Sequence, residues 1–177
     1  MQINNQVDTS GGGTGLFVDT RDIKDKADGI KVRLYGDAAM GYSYFQKGDP
    51  KPSLVRSQAF PEMVDPTDGY QGAEQTPTTC FYIAAWNYAT DAPCLLELNK
   101  KTLINAIIAV NDDADLADVT DYDFKITFDD KKDAAEKYTV TRLDKSELTP
   151  EQKKALKAFT PDLAAHAAGG EAFPKAE

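Results

Sequence analysis

The stretch Thr78 to Asn99, TTCFYIAAWNYATDAPCLLELN, constrains the fold of this chain more than any other. Its first part alternates as a strand does. Cys80, Tyr82, Ala84, Trp86 and Tyr88 fall on one face, and Phe81, Ile83, Ala85 and Asn87 on the other. Both faces are largely apolar or aromatic, which is the pattern of a central strand covered on two sides. Asp91-Ala92-Pro93 then turns the chain, and Cys94 to Leu98 returns as a second apolar strand.

A length of 177 residues fits one domain with a sizeable core. No apolar run approaches the roughly 20 residues that span a bilayer, so no membrane partner is expected. The polar, glycine-rich start has no basic n-region and no apolar h-region, so no signal peptide is expected and the setting expected is cytoplasmic, that of a bacterial host if the chain is phage-encoded. Residues 1–20 read as a flexible arm, with Leu16-Phe17-Val18 docking as an edge strand. Residues 21–159 read as the folded domain and residues 160–177, rich in Ala and Gly, as a flexible tail that leaves His166 in solvent. Cys80 and Cys94 sit where a hairpin would bring them near each other, but a reducing cytoplasm makes them buried free thiols. Two cysteines and one histidine do not make a four-ligand zinc site. No metal, no cofactor and no catalytic triad is expected, and an enzyme is not.

The net charge of −9 argues at first against a nucleic-acid partner, but it is unevenly spread. Residues 21–60 hold eight Lys/Arg against five Asp/Glu, and residues 61–135 hold five against fifteen. In the basic segment, Gly29 to Gly36 alternates: Ile30, Val32 and Leu34 suit a core, while Lys31, Arg33 and Tyr35 form a cationic face ending in an aromatic. Gly41 to Lys47 (GYSYFQK) adds Tyr42, Tyr44 and Phe45, and Lys51 and Arg56 follow in a proline-bearing loop. Aromatics that stack on bases, beside cations that track phosphates, are how single strands are held. The plainer alternatives are a solvated strand face and aromatics that fill a core edge. The candidate site is therefore Lys31, Arg33, Tyr35, Tyr42, Tyr44, Phe45, Lys47, Lys51 and Arg56, with Trp86 as either a further stacking face or core.

Residues 60–77 read as a long loop. Lys100 to Val110 reads as an amphipathic helix capped by Asn99 or Thr102. Asn111 to Asp115 is an acidic loop without the EF-hand pattern. Asp121 to Phe128 and Lys137 to Leu143 alternate as a hairpin. Thr149-Pro150-Glu151-Gln152 carries a capping box and Pro at the first helical position.

These elements predict a mainly β chain with two or three helices: a five-stranded OB-fold-like barrel with a helix before strand 4 and a C-terminal helix. Over residues 78–156, the pieces Leu95-Leu96-Glu97-Leu98, Tyr122-Asp123-Phe124-Lys125-Ile126, Lys137-Tyr138-Thr139-Val140 and Leu148-Thr149-Pro150-Glu151-Gln152 resemble a family of bacteriophage single-stranded DNA-binding proteins of the OB-fold kind. The zinc ligands and the acidic tail of well-known relatives have no counterpart here. The resemblance implies a non-catalytic, sequence-tolerant protein that coats single-stranded DNA in replication, recombination or repair. The partners expected are single-stranded DNA and replication or recombination proteins, with a homodimer or cooperative self-association as a further option. The rival expectation is an acidic β-barrel structural or adaptor protein of a virion or replication complex, with no DNA affinity.

Overall fold

The structure is a computed structural model that describes residues 16–48, 52–67, 69, 73–116 and 118–173. Among the described residues, seven strands make one sheet: β1 (Phe17–Asp19), β2 (Ile30–Gln46), β3 (Ser53–Ser57), β4 (Thr78–Asn87), β5 (Ala92–Leu98), β6 (Tyr122–Phe128) and β7 (Tyr138–Lys145). Four short helices accompany them: α1 (Thr20–Lys24), α2 (Lys101–Asn111), α3 (Pro150–Ala158) and α4 (Leu163–Ala167). The order across the sheet is β1-β5-β4-β2-β6-β7, with β3 paired to β2. β1 joins β5 in parallel, and every other pairing is antiparallel. The sheet is strongly curled into a half-barrel. At one outer strand, the Tyr138 hydroxyl of β7 donates to the Thr20 carbonyl at the start of α1, at 3.3 Å.

β4 is central, as its two apolar faces require. Phe81, Ile83 and Ala85 join Ile30, Val32, Leu34, Cys94, Leu96, Leu98, Phe124 and Ile126 in the main core. α2 closes that core with Leu103, Ile104 and Ile107. Its N-cap is Lys100, without a side-chain hydrogen bond, in place of the Asn99 or Thr102 that the sequence suggested. The helix therefore rests on packing, at about 1.5–3 kcal/mol for each fully buried aliphatic side chain. On the sheet's opposite face, Trp86 packs with Leu148 and Leu156, while Cys80, Tyr82 and Leu95 pack with Ala167 and Ala172. Cys80 and Cys94 are both free and buried, on opposite faces of the sheet.

The chain departs from its predicted layout in three places. Gly29 to Gly36 and Gly41 to Lys47 do not form two strands but belong to one. β2 runs through a bulge of two extra residues opposite β4, between Tyr35 and Ala39, eased by Gly36 at φ +71°. β3 forms directly after Pro52, where proline content had suggested loop; with β1 it brings the sheet to seven strands among the described residues, rather than five. Residues 160–173 do not fray. Asp162 caps α4, and the helix lies against β2, β4 and β3. His166 is consequently 6% exposed, held between the Phe17 and Tyr82 rings. Of the predicted N-terminal arm, residues 16–20 pack as β1 and the start of α1; the rest lies outside the described residues.

Candidate nucleic-acid interface

The predicted site residues separate into two groups, because β2 bends and its faces are covered differently along its length. Before the bulge, Lys31, Arg33 and Tyr35 lie on the face that α3 covers. Arg33 is 2% exposed. Its Nε donates to Asp123 Oδ1 at 2.7 Å, and its terminal nitrogens donate to the Thr120 carbonyl and to Ser146. Lys31 pairs with Asp123 Oδ2 at 2.8 Å and lies over the Tyr88 ring at 4.2 Å. Burial alone would raise the Asp123 carboxyl. The hydrogen bonds from Lys31 and Tyr88 and the Arg33 charge outweigh it and hold the group below the ordinary carboxylate range. The same network, with burial as the larger cause, pushes the Tyr88 phenol up to about 12.

This corrects the assignment of Arg33 and places Trp86 in the core, one of the two readings its sequence left open, rather than among the stacking faces. Arg33 is a structural cation, because its register opposite Asp123 gives its charge an internal partner. Trp86, directly across from Arg33 on β4, is 5% exposed and belongs to the core under α3. Tyr35 packs beside it, half-buried. Arg33 and Trp86 are thus closed to a phosphate or a base, while Tyr35 keeps part of its ring exposed.

After the bulge, β2 lies outside the main core cluster, stays paired with β4 through Ser43, and forms with β3 an aromatic arm from Tyr42 onward. Tyr44 lies opposite Val55 and Phe45 opposite Leu54. Tyr42 meets Phe60 edge to face, with ring centroids 5.2 Å apart. The arm is apolar and partly open: Met40 is 41%, Leu54 46%, Phe60 61% and Met63 91% exposed. Gln75 fixes the long loop against it. Its side-chain amide accepts from the Phe45 N–H and donates to the Phe45 carbonyl, both at 2.7 Å, and donates to the Asp65 carbonyl at 2.9 Å. Between loop and strand runs an open groove of about 710 Å³, lined by Tyr44, Phe45, Gln46, Met63 and Pro66 with Glu62 and Asp65 at its polar side.

The cations of this half are placed unevenly. Lys47 is exposed at the end of β2. Arg56 turns to the other face, where its Nη2 pairs with Glu97 Oε2 at 3.0 Å and His166 Nε2 approaches the same oxygen at 3.4 Å. Burial would raise Glu97, but His166 and Arg56 together keep it below the ordinary range. Lys51 lies outside the described residues. The structure thus gathers Tyr42, Tyr44, Phe45 and Lys47, and it adds Phe60, Met63 and Gln75, which sequence reasoning missed. Phe60, a large aromatic next to proline at the mouth of a polar loop, carried a readable signal. Gln75 carried none, since an amide that clamps a distant backbone has no pattern in its neighbours.

Compared with protein-family models, curated proteins and solved structures, the chain finds no match.

Proposed function

We propose that this chain is a non-catalytic, sequence-tolerant single-stranded DNA-binding protein, built on an OB-fold-like barrel and serving phage DNA replication, recombination or repair. The observation that carries the reading is the aromatic arm: Tyr42, Tyr44, Phe45 and Phe60 on the β2–β3 hairpin and the loop after it, beside an open groove. Stacking on such side chains is worth roughly 1–3 kcal/mol per base and suits any base. The sheet supports the barrel assignment. Its run β5-β4-β2-β6-β7, with α2 between β5 and β6, has the connectivity of a small Greek-key barrel whose long first loop contacts ligand. The arm lies in that first loop and the strand leading to it.

Few phosphates would be neutralised, since Lys31, Arg33 and Arg56 already have carboxylate partners. Binding is therefore stacking-led, with a shallow salt slope of about −0.7 to −1.4, the value for one or two phosphates on a single strand. The deciding experiment is fluorescence anisotropy of a labelled dT oligomer at several salt concentrations, with duplex DNA as control. Single-strand binding weakened about 5- to 150-fold by Tyr44→Ala, and likewise by Phe60→Ala, is the expected result. No binding of dT at low salt would sink the proposal.

A second reading draws on those same ion pairs. A chain of charge −9 in which Lys31, Arg33 and Arg56 are already paired with carboxylates, with exposed Leu54, Phe60 and Met63, also suits an acidic structural or adaptor protein that docks on another protein. It predicts no DNA affinity at any salt, so the same titration separates the two.

A further inference from the structure

β7 is the last strand of an open sheet, and its ladder alternation shows which backbone groups it leaves over. The Asp129 N–H donates to the Lys137 carbonyl at 2.8 Å, so position 137 bonds inward to β6. In an antiparallel ladder the bonded positions alternate. Thr139 and Thr141 therefore also bond inward, while Tyr138, Val140 and Arg142 direct their N–H and C=O groups away from β6. A second observation agrees. The Ile126 carbonyl, opposite Val140, faces β2, where a Cβ on Gly29 would come within 2.1 Å of it. Among the described residues, no backbone hydrogen bond is made by the outward groups of Tyr138, Val140 or Arg142.

An open edge of this kind is a template for another strand. Which strand it fits follows from its own sequence. Placed antiparallel to itself about Val140, β7 sets Tyr138 opposite Arg142 of the second copy, Val140 opposite Val140, and Thr139 opposite Thr141. All three outward residues meet outward residues, which makes six backbone hydrogen bonds. No like charges face each other between residues 137 and 143. The Arg142 guanidinium, which already lies 4.7 Å from the centre of the Tyr122 ring, meets the Tyr138 ring of the other copy. Thr–Thr pairs and β-branched pairs are favourable across strands. Beyond that window Glu136 would face Asp144, so the pairing ends there. A symmetric pair needs this reciprocity of one patch with itself.

We propose that β7 is the docking edge for a second copy of this chain, giving a twofold dimer with a continuous sheet across Tyr138–Leu143. An interface this short buries less than the roughly 1,200 Å² typical of stable complexes, so the dimer is weak and concentration-dependent. The proposal does not rest on DNA binding.

The test is sedimentation equilibrium of the full chain over a wide concentration range. The mass is expected to rise from 19.3 kDa toward twice that value. Arg142→Pro removes one outward N–H and no bond to β6, so it is expected to remain monomeric, while Arg142→Ala keeps the backbone donor and still dimerises. Hydrogen exchange of the unmodified chain supplies a reading that needs no variant. The amides of Tyr138, Val140 and Arg142 should slow as concentration rises, while those of Thr139 and Thr141 are protected throughout. A monomer at every concentration, or a dimer that forms without slowing those three amides, overturns the proposal.

Discussion

Asp123 decides more about this molecule than any aromatic does. It sits on β6 with a side chain 3% exposed and accepts from Arg33, Lys31, Tyr88 and Ser146. A buried carboxylate with four donors is stable only as a set, because removing one member leaves others without partners. The cost of breaking the set is therefore asymmetric. Asp123→Asn leaves the Arg33 guanidinium buried without its counter-charge and should destabilise by about 3–5 kcal/mol. Arg33→Met should cost less, since Lys31 and Tyr88 still hold the carboxylate. Urea unfolding of the two variants at pH 7 checks the order. Equal costs, or a larger one for Arg33→Met, would mean that Lys31 does not share the pair.

At the scale of elements, the arm formed by the second half of β2 with β3 depends on Gln75. One side chain ties both backbone groups of Phe45 and the Asp65 carbonyl, and so holds Met63 and Phe60 near Tyr42 and Tyr44. Gln75→Ala should leave the main core intact. The far-ultraviolet circular dichroism and the unfolding cooperativity should change little, while amide exchange in residues 60–67 quickens by about tenfold or more, a change of roughly 1.4 kcal/mol or more in local opening. Exchange as slow as in the parent chain would show that the loop is held by other contacts. This element also marks where sequence reasoning stopped. Strand periodicity gave β4 and both its faces, the β6–β7 hairpin and the α3 capping box, because each is local or strictly periodic. Thr149 does cap α3 through Gln152. The bulge in β2 and the strand after Pro52 were not readable, since both depend on which strand lies alongside. The site fared likewise. Tyr42, Tyr44 and Phe45 remain together on the arm, whereas Arg33 and Arg56 were drawn to carboxylates far along the chain, a choice that composition does not encode.

For the molecule as a whole, these ion pairs predict how stability depends on pH. Asp19, Glu97 and Asp123 are all held below the ordinary carboxylate range. Burial opposes the shift in each, and the bonds from Arg21, from His166 and Arg56, and from Lys31, Tyr88 and Arg33 outweigh it. Their unfolded values lie near 3.9 for Asp and 4.3 for Glu. A depressed carboxyl binds fewer protons folded than unfolded, so its stabilisation is complete above the unfolded value and is lost as pH falls through the folded one. The urea midpoint set by these groups should be flat from about pH 5 upward and fall steadily below about pH 4. Glu97→Gln and Asp123→Asn should each lower the midpoint at pH 7 and flatten the acid limb, because each removes one proton-linked group. The two sites lie on different parts of the sheet face, Glu97 beneath α4 and Asp123 near the start of β6. Their effects on the acid limb should therefore add. An acid limb equally steep in the double variant would place the linked protons on other carboxylates and separate the buried pairs from the acid sensitivity of the fold.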